Sequence, residues 1–319
     1  MKLSLYSISY SGIWYKGRAL SVEELLERAV KYGYQGVDID GKRPHGNPLD
    51  WDEERRKRFR ELARSKGLQI VGVAGNNNFV SPYDEDRENE LVMLSEQIKL
   101  CRDLGGRIVR VFMTWNRITR YGAENLANYD IPGKYSIRGP LSGPDATMLQ
   151  RWQWAKECLK EGAAIAQKHG VTLALQNHHP FMMHAQKPYL DMLDMVREVG
   201  SEALKCSLDA GLLIDQSDAG VEEAVRATGK LQVISHFFGE FGRDARGKAV
   251  QTPIRGLDWP HINYPAFIKA LKNIGYDDFI SFEFCHTVLD ENHQVMGVER
   301  VDEQVELAGE YMRELIRSA

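Results

Sequence analysis

Along most of the 319-residue chain, short runs rich in Val, Ile, Leu and Phe alternate with longer stretches in which apolar residues recur every three or four positions. The first pattern is that of a buried strand, the second that of a helix with one face on a core. Strands are predicted near 2–9, 35–40, 68–75, 107–114, 171–177, 204–209, 231–238 and 279–284, and helices near 21–32, 52–66, 85–104, 148–169, 188–199, 219–229, 264–274 and 300–317. Several helical stretches end in a glycine just before the next apolar run, as in "KYGYQGVDID", "SKGLQIVGV", "KHGVTLAL" and "NIGYDDFISFEF". That is the residue a helix C-terminus needs when the chain leaves it through left-handed backbone. Eight such units with no linker predict one closed, eight-stranded α/β barrel spanning 1–319. Two long connections, 116–147 and 239–263, both follow strands. They are therefore expected over the C-terminal face, where barrels of this kind build their sites.

Side chains alternate faces along a strand, so polar residues that share a face opposite an apolar set should point into the barrel. In "VTLALQNH" the set Val171, Leu173 and Leu175 is apolar, which turns Gln176 and His178 inward together. The same parity sends Asp209 inward from "LKCSLDAG", Glu283 from "DFISFEFC" and Arg110 from "RIVRVFMTW"; it does so for His236 in "LQVISHFFG" when Val233 and Ser235 face the helices. Four successive strands thus bring Gln176, Asp209, His236 and Glu283 to one rim. Two carboxylates, an imidazole and an amide oxygen suit a divalent cation, Mn²⁺ first and Mg²⁺, Co²⁺ or Zn²⁺ as alternatives. The bland alternative is four buried polar groups bonded to one another.

A formal charge of −4 and a pI near 6.2, with both signs interspersed, leave no basic stripe for a phosphate backbone, which argues against a nucleic-acid partner. No apolar run reaches the roughly 20 residues of a membrane span or makes a signal peptide, so a cytoplasmic protein that does not associate with membranes is expected. Cys101, Cys158, Cys206 and Cys285 are scattered without a CxxC pair, and they read as reduced core or helix cysteines.

In order and spacing, "GYQGVDID", "LALQNHHP", "CSLDAG", "SHFFGEFGR" and "FISFEF" resemble the xylose-isomerase-like TIM barrels, a superfamily of sugar isomerases and epimerases that also contains endonuclease IV. The resemblance covers nearly the whole chain. It implies a metal held by Glu, Asp, His and Glu from strands five to eight; Asp209, His236 and Glu283 match, while Gln176 replaces the first Glu and Leu212 stands where many members carry the His of a D-x-x-H pattern. In epimerases of the family the two glutamates move a proton on opposite faces of a substrate carbon, which Gln176 cannot do. A one-base site remains open. His178 serves in it either as the base, with Glu283 as the other catalytic residue, or as a contact to a substrate hydroxyl. His179 and His286 on neighbouring rim loops, Arg110, Trp115, Trp14 and Phe238 are candidate substrate contacts, and Arg243 is expected to pair with a rim acid.

The implied chemistry is enolisation of a keto-sugar. Because elimination needs one base plus help to the leaving group, the resemblance narrowly favours β-elimination from a 3-oxo-glycoside, as in the large subunit of C-glycoside deglycosidases, over isomerisation or 3-epimerisation of a ketose. It also implies a homo-oligomer, or a hetero-oligomer with a small second subunit. A non-catalytic binding subunit is the third reading. Phosphodiester chemistry would need a cluster of metals and a basic surface, and the sequence offers neither.

Overall fold

The computed structural model describes residues 1–115, 119–121, 126–128, 146–178 and 183–319. Eight strands, β1 (Lys2–Tyr6), β2 (Gly36–Asp40), β3 (Gln69–Ala74), β4 (Ile108–Val111), β5 (Thr172–Gln176), β6 (Leu204–Ser207), β7 (Gln232–Phe237) and β8 (Phe279–Phe282), form one closed parallel barrel. Each strand pairs with the next, and β8 closes on β1 with Leu3 opposite Ile280. Eight helices accompany them: α1 (Val22–Lys31), α2 (Glu53–Ser65), α3 (Asp84–Leu104), α4 (Met148–His169), α5 (Pro188–Val199), α6 (Asp218–Thr228), α7 (Tyr264–Asn273) and α8 (Val298–Ser318). The chain therefore has the expected fold, an α/β TIM barrel.

Local chemistry sets the element boundaries. Ser21 caps α1 and Thr147 caps α4, each in a reciprocal box with the third helical residue, Glu24 and Gln150, which satisfies two otherwise orphaned N–H groups per helix. The four glycines expected to end helices, Gly33, Gly67, Gly170 and Gly275, all have φ between 66 and 75°.

Several strands stop earlier than the sequence pattern suggests, because side chains take over the ladder. Beyond β4 the Phe112 N–H donates to Asn77 Oδ1 at 3.0 Å. The end of β1 turns into a 3₁₀ segment, Ser7–Tyr10, whose Ser7 and Ser9 hydroxyls accept from the N–H groups of Asp40 (2.7 Å) and Phe284 (2.8 Å). Such local bonds compete with strand pairing.

Most of the core lies between the sheet and the helices, where Leu5, Val37, Ile39, Val73, Leu173, Leu175 and Phe282 are fully buried. A second, smaller cluster fills the barrel itself: Val71, Ile108, Ala174, Ile234 and Phe279, all buried. It forms a dry plug beneath the C-terminal mouth. Of the two long connections, 239–263 carries an antiparallel hairpin, Glu240–Arg243 with Ala249–Thr252, clamped to α8 by Phe241 and Gln304, whose main chain and side-chain amide exchange two bonds of 2.7 and 3.0 Å. Arg243 pairs with Glu310 of the same helix at 2.8 Å. Of 116–147, only the small antiparallel pair Thr119–Tyr121 with Leu126–Asn128 and residues 146–147 are among the described residues. No helix among the described residues is long and apolar enough to cross a membrane. All four cysteines are free thiols.

Candidate active site

Every strand delivers a polar group to the C-terminal mouth, and these groups are joined in a ring of hydrogen bonds. Asp40 Oδ1 accepts from the Tyr6 hydroxyl at 3.1 Å and from the Asn76 amide at 2.9 Å. The Tyr6 oxygen accepts from Arg110 Nη2 at 3.0 Å, and Arg110 Nη1 donates to Gln176 Oε1 at 3.3 Å. Gln176 Nε2 donates to Asp209 Oδ2. Asp209 Oδ1 accepts from the His236 N–H at 2.7 Å, and His236 Nε2 meets Asp38 Oδ2 at 3.0 Å, returning the ring to β2. The strand register slips between Val37 and Asp38 and again between Cys206 and Ser207. Irregularities of this kind re-aim side chains beside active sites, and here they precede Asp38 and Asp209.

The electrostatics follow from this crowding. Burial works against a charge on His236, but Asp209 and Asp38 outweigh it and raise the imidazole to about 10. Burial pushes Glu283 up, and the charges of Asp209 and Asp38 add to that; His236 and Arg110 offset part of it, leaving the carboxyl at about 7. Lys42 reaches in to Asp40 Oδ2 at 3.3 Å.

A cavity of about 40 Å³ opens beside the ring and brings together Gln176, His178, Glu283, Arg110, Trp14 and Trp115. His178 stands edge-on to Phe112 and Trp115, with ring centroids 5.1 and 5.0 Å apart. Two of the expected contacts lie elsewhere. Phe238 packs against Trp259 at 5.4 Å, and His286 is buried against Phe284, with its Nε2 3.6 Å from Glu240; neither lines this cavity. His179 lies outside the described residues. The sequence reading missed Tyr6, Asp38, Asp40, Lys42, Asn76 and Cys285, which belong to the ring or the cavity wall. For the two aspartates a signal was present, since "VDID" alternates apolar and acidic residues within a strand.

Asp209, His236 and Glu283 fit a divalent ion in donor type, and His236 fits in geometry too. Its Nδ1 is buried without a hydrogen-bond partner and lies 3.6 Å from Asp209 Oδ2, while a carboxylate fixes its other nitrogen, the usual support of a ligating imidazole. The set is not drawn together, however: among the described residues no three His, Cys, Asp or Glu side chains converge closely enough to hold an ion. Gln176 gives its NH₂ to Asp209 and its oxygen to Arg110, so its amide would have to turn over to serve as a ligand.

The family profile described as the xylose isomerase-like TIM barrel matches residues 26–313. An L-ribulose 3-epimerase of Mesorhizobium japonicum is 25% identical over 293 residues, covering 89% of this chain and 82% of the relative. In structure, the chain is similar to a D-psicose 3-epimerase of Clostridium cellulolyticum H10 solved with D-tagatose (TM-score 0.70, 17% identity, 99% of each chain covered). It is also similar to a protein named IolI that binds a zinc atom (TM-score 0.66, 16% identity, 100% of this chain and 99% of the other).

Proposed function

The chain belongs to the xylose isomerase-like TIM barrel family, and from that premise we propose that it is an enzyme, a sugar isomerase or epimerase acting on a keto-sugar, with 3-epimerisation of a ketose the best-supported reaction. The observation that carries this reading is the single cavity that combines a carboxyl held near neutrality, Glu283, with an imidazole, His178, and a buried guanidinium, Arg110. A base poised near pH 7 is what removal of a proton beside a carbonyl requires. The named relatives support epimerisation over β-elimination from a 3-oxo-glycoside, since both epimerases among them act on ketoses by name.

In this reading Glu283 takes the proton from the carbon next to the carbonyl, and His178 or the same carboxyl returns it. Return to the opposite face inverts the centre; return to the neighbouring carbon isomerises the sugar. Gln176 has no titratable group and holds Asp209 and Arg110 in place. Asp209, His236 and Glu283 would hold a divalent cation, Mn²⁺ or a similar ion, which when bound supplies Lewis acidity toward the substrate oxygens. Trp14 and Trp115 give the sugar ring apolar walls. The test is incubation of the protein with a panel of ketoses, including L-ribulose and D-psicose, in D₂O with added Mn²⁺. The reading expects epimeric products carrying deuterium at the inverted carbon. Products without deuterium, or no exchange with any ketose while a 3-oxo-glycoside is cleaved, would replace it with a different reaction.

A further inference from the structure

Arg110 is a charged residue with little to hold it. It is 5% exposed, its guanidinium lies 4.0 Å over the Phe112 ring, and its bonds go to two neutral oxygens, Gln176 Oε1 and the Tyr6 hydroxyl. Its Nε is buried without a partner, and among the described residues no carboxylate is paired with it. A guanidinium carries five N–H groups, of which two are used here. Burying a cation in this state is costly unless something compensates it, yet the residue lines the cavity.

Gln176 explains why nothing in the protein does so. A glutamate of the same shape would set a carboxylate 3.3 Å from Arg110 Nη1, where the amide oxygen now sits, and the resulting ion pair would use up the guanidinium. It would also press a second anion against Asp209 Oδ2, and two carboxylates cannot share such a site without a proton or a cation between them. The amide avoids both. It donates to Asp209, accepts from Arg110, and leaves the cation unspent.

We propose that Arg110 is the oxygen-binding electrophile of this site. Its free N–H groups take the substrate's carbonyl oxygen and then the enolate oxygen. In that step the C–H bond beside the carbonyl breaks, its electron pair becomes the C=C bond, the C=O π pair moves to the oxygen held by Arg110, and the proton passes to Glu283; reprotonation reverses each change. Gln176 is there to keep the guanidinium unpaired. The assignment rests on the enolising reaction proposed above and names the residue that bears its negative charge.

The test is calorimetric binding of D-erythronohydroxamate, whose planar O=C–N–O unit copies an enediolate, to protein as purified, with metal content measured on the same samples. Arg110→Met should weaken binding by about 10²-fold, the effect of removing one oxyanion donor, with metal content unchanged. Arg110→Lys, which keeps the charge and loses the fork, should fall between the two and serves if the methionine variant does not fold. Arg110→Met protein with a lowered melting temperature and an affinity within about threefold of wild type would show a purely structural arginine and overturn the assignment; so would wild-type protein that ignores the hydroxamate. Kinetics separate the two readings. Arg110-dependent binding without deuterium exchange into any ketose refutes the proposed reaction and keeps the oxygen-binding role. Exchange at a kcat that Arg110→Met lowers less than about threefold keeps the reaction and removes the role.

Discussion

The two mouths of the barrel both carry cations over an apolar floor, and they differ in what those cations do. At the N-terminal mouth a cleft of about 230 Å³, far larger than the cavity at the other end, is lined by Arg60, Arg64 and Arg107 above Leu68, Ile70, Val71, Leu104 and Phe279. All three arginines are exposed. Arg107 pairs with Asp278 at 3.0 Å and Arg60 donates to the Asp103 carbonyl at 2.9 Å. Water can solvate whatever remains, so these charges cost little and are worth little. At the C-terminal mouth Arg110, Asp38, Asp40, Asp209 and His236 are all buried and depend on one another. Size alone would have chosen the wrong end; the cost of burying charge identifies the right one.

If that contrast is right, substitutions at the two ends should differ most at the shared ligands. Asp209→Ala removes an anionic ligand and two acceptors of the ring, and should abolish both bound metal and turnover; stoichiometric metal in the variant, measured by elemental analysis, would dissolve the ligand set. His178→Ala should lower kcat by about 10²–10⁴-fold with metal content unchanged if the imidazole moves a proton. A rise confined to KM would make it a substrate contact. Asp38→Asn keeps the shape but weakens the hold on His236 Nε2, and should cost about 10–100-fold in metal affinity, the usual effect of losing a partner of a ligating histidine.

Glu283→Gln sharpens the contrast through pH. Because the folded carboxyl sits at about 7 against about 4.3 in an unfolded chain, ionising it opposes folding. The stability it contributes is complete below the unfolded value and is lost as pH rises through 7. In EDTA, the melting temperature of the glutamine variant relative to wild type should therefore increase between pH 5 and pH 8; a flat difference would mean that Glu283 is already ionised at the lower pH. The smallest effect belongs to the other mouth. Arg64→Ala should leave kcat/KM unchanged and stability within about 0.5 kcal/mol, and a measurable loss of activity there would break the contrast.

The strand order and most of the site were legible because period-two alternation is a geometric property of a strand and survives without knowledge of its neighbours. It turned Arg110, Gln176, His236 and Glu283 to the correct face. It failed where the strand had ended. Phe238 follows the last residue of β7 and His286 lies four beyond β8, so parity no longer governed their direction, and both turned away from the cavity. Asp38 was hidden for another reason. All five residues of β2 are buried, and its partner His236 is 198 positions away; a carboxylate whose role is to hold a distant imidazole has no local signature. The amide orientation of Gln176 was equally unreadable, since it depends on having Arg110 on one side and Asp209 on the other.

The plug of Val71, Ile108, Ala174, Ile234 and Phe279 also governs traffic. With the barrel stoppered below the ring, nothing can pass through it, so a sugar that enters at the C-terminal mouth must leave by the same door. An incoming substrate then waits for the outgoing product, and the two compete for one opening as well as for one set of contacts. For a reaction whose two sugars differ at a single carbon, that makes the direction of net flux a matter of their relative concentrations outside the door.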